Sequence, residues 1–339
     1  MREAPPGARM HREVRGSLMQ RLLKSLAVAT TLVMFIVLVM GALVTNTNSG
    51  HGCSNTWPLC NGKFIPEFTV AALIEWSHRT VTALVTVLIL ALAAGTLALY
   101  RRRREAQVLV PLMIVFLIAQ AVLGAIAAGV HETPAVLALH FGVSLISFAS
   151  IVLTTAFVFE AGGADAVRDR PVPARLRLSI LGLILFTYVV TYLGAYTRHS
   201  GASLACLDWP LCGQRPFSAV PGMAWLVTVQ EGHRVAAALL ALAVAGLWLV
   251  ARRDRAERPD LYRGATAALV AVVLQSLAGG LVVLSRLDLF TTLLHAALVS
   301  LLFASLAYLV YHLIPRRVCL PRRASAPPVR AGAVAAGAK

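Results

Sequence analysis

Glu75-Trp76-Ser77-His78-Arg79 sets a carboxylate, an imidazole and a guanidinium side by side at the mouth of a long apolar stretch. Glu75 and His78 are three positions apart, so a helix puts both on one face. Ionisable groups in or beside a membrane span are costly, and such a cluster marks a functional site by default. The cluster has an echo: His233-Arg234 repeats His78-Arg79 at an offset of 155 residues. His140 follows His78 by 62 residues, and His295 follows His233 by the same 62. Four histidines in two equal pairs make the rest of the chain a frame that holds them.

That frame reads as a membrane protein. Of the 339 residues, 58% are hydrophobic and 14% charged, against about 25% charged in a soluble domain. The apolar residues fall into runs long enough for a helix of roughly 20 residues, which crosses about 30 Å of hydrocarbon. Eight such runs are expected, near 26–45, 70–100, 108–130, 135–159, 176–197, 222–250, 262–285 and 289–313. The first lacks a clean small-residue cleavage site and reads as a span rather than a signal peptide.

The net charge of +16 raises nucleic acid as a partner, and its placement argues against one. With alternate connections assigned to opposite sides, residues 1–25, 101–107, 160–177, 252–263 and 314–339 carry the whole excess. This is the positive-inside bias. It puts both termini in the cytoplasm of a multi-pass plasma-membrane protein, with lipid rather than nucleic acid as its surroundings.

The second half repeats the first. Gly194 answers Gly41, Ser200-Gly201 answers Ser49-Gly50, and Gln275 and Gly279 answer Gln120 and Gly124. Trp-Pro-Leu-Cys occurs at 57–60 and again at 209–212. Each half has an even number of helices, so both halves take the same orientation, as a parallel repeat about the membrane normal. The expected fold is an all-α integral membrane protein of eight transmembrane helices in two parallel-repeat four-helix bundles. A basic cytoplasmic arm (1–25) precedes the first bundle (26–159). A polar linker (160–177) leads to the second bundle (178–313), and a disordered Arg-, Ala- and Pro-rich tail (314–339) closes the chain.

Two imidazoles on opposite walls of a four-helix bundle suit axial ligation of a haem iron. The alternative is that each histidine is a polar packing residue hydrogen-bonded across its bundle. A single histidine favours packing; four in two equal pairs favour ligation. His11, His51, His131, His199 and His312 have no repeat partner and read as loop or interface residues. Arg79 and Arg234 each follow a paired histidine, where a guanidinium fork can meet a haem propionate or snorkel to the interface. Glu75-x-x-His78 has the spacing of di-iron bundles, but those need further carboxylates from facing helices. Zinc needs three or four ligands, more than each half offers. Covalent haem attachment through Cys-x-x-Cys-His is excluded, because the motif does not occur.

Cys53 and Cys60 share one loop, and Cys206 and Cys212 share another. Each pair is close enough to bridge on the oxidising side of a membrane. A stapled lid is the simpler reading; redox chemistry or a transient thiol adduct with substrate is the other. Cys319 is unpaired, on the reducing side.

Taken together, Gly41-Ala42-Leu43-Val44-Thr45, Ser49-Gly50, Cys53, Trp57-Pro58-Leu59-Cys60-Asn61-Gly62, Glu75-x-x-His78-Arg79, His140, His233-Arg234 and His295 resemble the haem A synthase family. The resemblance covers nearly all of residues 20–315. It implies eight helices in two four-helix bundles. It implies an enzyme that oxidises one methyl group of haem O to a formyl group by successive hydroxylation, giving haem A for terminal oxidases. It further implies haem b as cofactor, held by His233 and His295, and substrate haem received by His78 and His140, with Glu75 as the essential glutamate. Haem O synthase, oxidase assembly factors and an electron donor are the partners it suggests.

The second half departs from the first at one position. Gln230 stands where Glu75 would repeat, with Glu231 beside it, which fits one chemical half and one electron-transfer half. A di-haem b cytochrome passing electrons from quinol, or a haem carrier, explains the four histidines equally well but not a glutamate beside a ligand in one half only.

Overall fold

Within hydrocarbon every backbone amide must find its partner inside the protein, and a run of Leu, Val and Ala does so as a helix. The computed structural model describes residues 6–54, 56–129, 133–161, 170–213 and 222–313. Eight helices account for most of them: α1 (Pro6–Asn46), α2 (Val70–Tyr100), α3 (Arg104–Gly129), α4 (Pro134–Glu160), α5 (Ala174–His199), α6 (Ala224–Arg253), α7 (Pro259–Leu284) and α8 (Leu289–His312). Each contains a stretch long and apolar enough to cross a membrane. The chain is therefore an all-α, multi-pass membrane protein, as its hydropathy led one to expect.

One boundary differs. The expected arm over residues 1–25 is helical from Pro6 onward, continuous with α1. Its Arg, Leu, Met, Gln and Lys residues are good helix formers, so the helix outruns the apolar stretch that signals it. Residues 162–169 of the linker, the tail with Cys319, and His131 lie outside the described residues.

Local sequence sets several helix starts. Thr69 caps α2 by accepting from the Ala72 amide at 3.3 Å. Thr133 caps α4 at Val136, with Pro134 opening the helix. Asp288 caps α8 by accepting from the Thr291 amide at 3.2 Å. Each cap satisfies an amide that has no partner within its helix. These starts lie at the end of the molecule that carries the cysteine loops, called the loop end below.

In the first half α1 and α3 each pack against both α2 and α4. In the second, α5 and α7 each pack against both α6 and α8. The halves meet where α4 touches α5 and α8, and where α1 touches α8. Met34, Ile89, Met113, Leu145 and Phe157 form the heart of one buried cluster, which Phe303 and Tyr311 of α8 join across the seam. Ile180, Val244, Leu261, Leu302 and Leu306 form the other.

Polar groups tie both ends of this seam. At the loop end, Arg198 of α5 donates through Nε to Asn46 Oδ1 at 2.9 Å and through Nη2 to the Thr45 carbonyl at 3.4 Å, both on α1. At the opposite end Arg258 is buried and forks onto Asp260 at 3.0 and 2.8 Å. It also donates to the carbonyls of Arg170 and His312. His312, expected as a loop or interface residue, is buried here between two carboxylates. Its Nδ1 lies 3.1 Å from Asp260 Oδ2, and its Nε2 lies 3.5 Å from Glu160 Oε1 on α4.

Candidate functional site

All four repeat histidines lie within the first three turns of the even helices α2, α4, α6 and α8. Each ring rests against a glycine of the preceding odd helix. A Cβ added at Gly41 would stand 3.5 Å from His78 Cε1, and one at Gly124 would stand 3.4 Å from His140 Cε1. In the second half the fit is closer: 2.7 Å from Gly194 to His233 Cε1, and 3.0 Å from Gly279 to His295 Cε1. The glycines thus form seats into which the imidazoles press against helix backbone. Gly41/Gly194 and Gly124/Gly279 stand out in the sequence only as repeat partners; their task becomes visible in the structure.

His78 and His140 are close enough to act on each other electrostatically, and so are His233 and His295. The predicted pairs are therefore brought together, one pair in each half. The Nδ1 atom of all four rings is buried without a hydrogen-bond partner. Buried polar atoms are nearly always satisfied, and each exception calls for an explanation. Gln275 places its Nε2 3.2 Å from His295 Nε2, a contact that sequence reasoning missed although Gln120 and Gln275 repeat at the offset of the histidines. Two further details belong to the first half alone. Thr82 and Ser144 donate their hydroxyls to the His78 and His140 carbonyls one turn back, each at 2.8 Å; Ala237 and Val299 hold the corresponding positions.

Glu75 is buried and bound on both carboxylate oxygens. Oε2 accepts the Cys53 amide at 2.8 Å, and Oε1 pairs with Arg79 Nη2. Arg79 Nη1 then donates to the carbonyls of Thr56 and Leu59, at 2.7 and 3.2 Å. Glu75 and Arg79 thereby fasten the loop that Cys53 and Cys60 close. Arg79, read from the sequence as a propionate partner, is here engaged by Glu75 and the loop.

The second half solves the same problem with a neutral side chain. Gln230 Oε1 accepts the Cys206 amide, while its Nε2 donates to the Ser203 carbonyl at 2.6 Å and the Cys206 carbonyl at 3.3 Å. An amide can accept and donate at once, so Gln230 alone does what Glu75 and Arg79 do together. Among the described residues Arg234 makes one hydrogen bond, from Nη2 to the Cys206 carbonyl at 3.2 Å, and its Nη1 is buried without a hydrogen-bond partner.

Both cysteine pairs are disulfides, with Cα atoms 4.6 Å apart for Cys53–Cys60 and 5.5 Å for Cys206–Cys212. Each ring is short, so closing it stabilises the loop by roughly 2 kcal/mol. Both loops carry a cis Trp–Pro peptide, at Trp57–Pro58 and Trp209–Pro210. The bridged pairs fit the stapled-lid reading.

With this geometry in view, the chain can be set beside known proteins. The family model described as cytochrome oxidase assembly protein matches residues 24–307. The chain belongs to this family. It is 44% identical over 292 residues to the protein named heme A synthase of Bacillus licheniformis, a match spanning 86% of this chain and 95% of that relative. The heme A synthase of Bacillus cereus is 42% identical over 293 residues, covering 86% and 93% of the two chains. That of Geobacillus kaustophilus is 41% identical over 293 residues, covering 86% and 92%. The stretch matched to the cytochrome oxidase assembly family includes all four seated histidines, both disulfide loops, and the Glu75 and Gln230 anchors.

Proposed function

We propose that this chain is a haem A synthase. It oxidises a methyl group of haem O to a formyl group and so supplies haem A to terminal oxidases. Two successive hydroxylations of one methyl carbon give a geminal diol, which loses water to leave the formyl group. The observation that carries the reading is the pair of matched histidine sites with a glutamate latch in only one of them. The names of the similar proteins and the family description support it from outside.

The donor set fits haem. Imidazoles face each other in pairs within helical bundles, with buried ring nitrogens awaiting partners. His233 and His295 would hold haem b as cofactor, and His78 and His140 would receive haem O. Bound iron supplies the redox chemistry; the protein supplies position, proton handling and exclusion of water. The unpartnered Arg234 Nη1 is suited to a haem propionate. Arg79 can take that role in the first half only by leaving Glu75 or the loop carbonyls. Glu75, one turn from His78, can accept a proton during methyl oxidation or stabilise positive charge that develops there. Gln230 cannot change its charge, which suits a half that only relays electrons.

On this reading the chain lies in the plasma membrane with both termini cytoplasmic, next to haem O synthase and oxidase assembly factors. The test is co-expression with a haem O synthase, followed by haem extraction and chromatography. Haem A, absent from an empty-vector control, is the expected outcome. Haem b and haem O alone, in a preparation that shows a bis-histidine spectrum, would replace the enzyme by an electron carrier.

A further inference from the structure

The loop-end half of the α5–α6 surface holds a groove of about 390 Å³, lined by Phe186 of α5 and by Thr228, Glu231, Gly232, Val235 and Leu239 of α6. Such a volume lies within the usual range for a small-molecule site, roughly 300–1,000 Å³. The groove lies along a membrane-spanning stretch of α6, so its occupant arrives through the bilayer. Below, the lining is apolar: Phe186, Val235 and Leu239. Above, it has two polar groups, the Glu231 carboxylate and the Thr228 hydroxyl. Thr228 donates to the Ala224 carbonyl at 3.2 Å, so its oxygen stays available to accept. Between them a Cβ added to Gly232 would meet nothing within 4 Å, which leaves helix backbone exposed in the floor. This arrangement matches a molecule with a hydroxylated head and a long apolar tail.

The first half carries different residues at this face, although the histidines repeat. The positions matching Thr228, Glu231 and Gly232 are Leu73, Trp76 and Ser77. Trp76 packs against Cys53, Cys60 and Ala72, and its indole N–H donates to the Phe64 carbonyl at 2.9 Å. The carboxylate and hydroxyl of this groove stand beside the histidine pair assigned above to electron relay, where the first half has Trp76 and Leu73 instead. Gly232 is the chain neighbour of His233, whose ring seats against Gly194 on α5. A helix with its side chains is about 10–12 Å across, so the groove lies within about one helix width of that ligand.

We infer that this groove binds a lipid-soluble hydroquinone, which delivers electrons to the haem held by His233 and His295. The inference rests on the haem assignment above. Each hydroquinone loses two electrons and two protons and becomes the quinone, the reducing equivalents that a hydroxylation by dioxygen consumes as the second oxygen atom leaves as water. The electrons reduce two ferric haem equivalents in turn. Both protons leave to water at the loop end. Glu231 offers a hydrogen-bond acceptor for a hydroquinone hydroxyl at that end, with a carboxylate oxygen within 4.8 Å of the disulfide sulfurs of Cys206 and Cys212.

The test uses the full chain, purified with its haem and placed in phospholipid nanodiscs. An azido-substituted quinone is photolysed on the protein and the labelled peptides are mapped. Labelling within 224–239, blocked by excess short-chain quinone, is expected. Separately, anaerobic stopped-flow follows haem reduction by a short-chain hydroquinone, with dithionite as the reductant that bypasses the groove. Gly232→Leu fills the floor, and overpacking of this kind should slow hydroquinone reduction about tenfold or more. Dithionite reduction and the haem spectrum should stay as in the parent. Glu231→Ala removes the acceptor for the hydroxylated head and should weaken the photolabel and slow only the hydroquinone reaction. Labelling elsewhere, or parental hydroquinone rates in Gly232→Leu, would overturn the proposal, as would a groove that holds only phospholipid and takes no label. Because photolabelling reads the groove whether or not haem is bound, a preparation lacking haem at His233 would count against the cofactor assignment alone.

Discussion

Glu75 and Gln230 occupy equivalent places and hold equivalent loops, yet they differ by one charge. In the second half the amide both accepts from and donates to the loop, Arg234 adds one bond to the Cys206 carbonyl, and its other nitrogen is unpartnered. In the first half the carboxylate lacks donors, so Arg79 is drawn in to reach the loop carbonyls. The latch is conserved in shape between the halves and altered in chemistry. A neutral anchor is enough for a site that must only stay folded around its ligand. An ionisable anchor in a buried place is costlier to keep, and the function proposed above gives it a use in the first half.

The harshest way to break this comparison is to remove a proposed haem ligand from the second half. His233→Ala should abolish the b-type spectrum of the purified protein, whereas His78→Ala should leave it in place. A b-type spectrum that follows His78 instead would exchange the roles of the halves. Next in size, Glu75→Gln turns the first anchor into a copy of the second. The loop can still be held through the Cys53 amide, so haem b content should match the parent. Haem A in co-expressing cells should fall by about 100-fold or more, the usual contribution of a positioned acid or base. Unimpaired haem A formation would show that the charge difference has no part in the chemistry.

A smaller effect separates the glycine seats. An added Cβ at Gly194 would stand 2.7 Å from His233 Cε1, but one at Gly41 would stand 3.5 Å from His78 Cε1. Gly194→Ala should therefore displace its ring at a cost of about 1–3 kcal/mol, read as a lower haem-to-protein ratio and a lower melting temperature. Gly41→Ala should leave both measures close to the parent. Equal behaviour would mean that the second half is no more tightly built than the first. The smallest change is Gln230→Glu, which removes the donors to the Ser203 and Cys206 carbonyls. The Cys206 carbonyl keeps its bond from Arg234, so the loss falls on the Ser203 carbonyl and should cost about 1 kcal/mol. Faster reduction of Cys206–Cys212 by a mild thiol would report the loosened loop.

Much of this was legible from the chain. Twenty apolar residues in hydrocarbon have one economical conformation, so hydropathy located all eight helices. It could not see α1 start at Pro6, because helix propensity in a charged stretch leaves no apolar signature. The histidines showed themselves because an offset of 155 recurs in both members of a pair. Their seats were half-visible: Gly194 and Gly279 were marked as repeats, but which ring each receives depends on how odd and even helices pack. The latch between Glu75 and the Cys53 amide was hidden, since it joins residues 22 apart through an irregular loop. The cluster of Glu160, Arg258, Asp260 and His312 was more deeply hidden still, because it gathers three helices whose charged ends look like ordinary membrane anchors in sequence.

That last cluster bears on timing. Arg258 and His312 bind α7 and α8 to the end of α4, while Arg198 pins α5 to α1 at the far end of the same seam. A boundary fastened at both extremities resists the rocking by which many membrane proteins alternate between states. With two haems in place, the gap between them would be a constant of the architecture, like the spacing of plates in a capacitor. Traffic from one half to the other would then be governed by potential difference and proton supply, with no moving part between them.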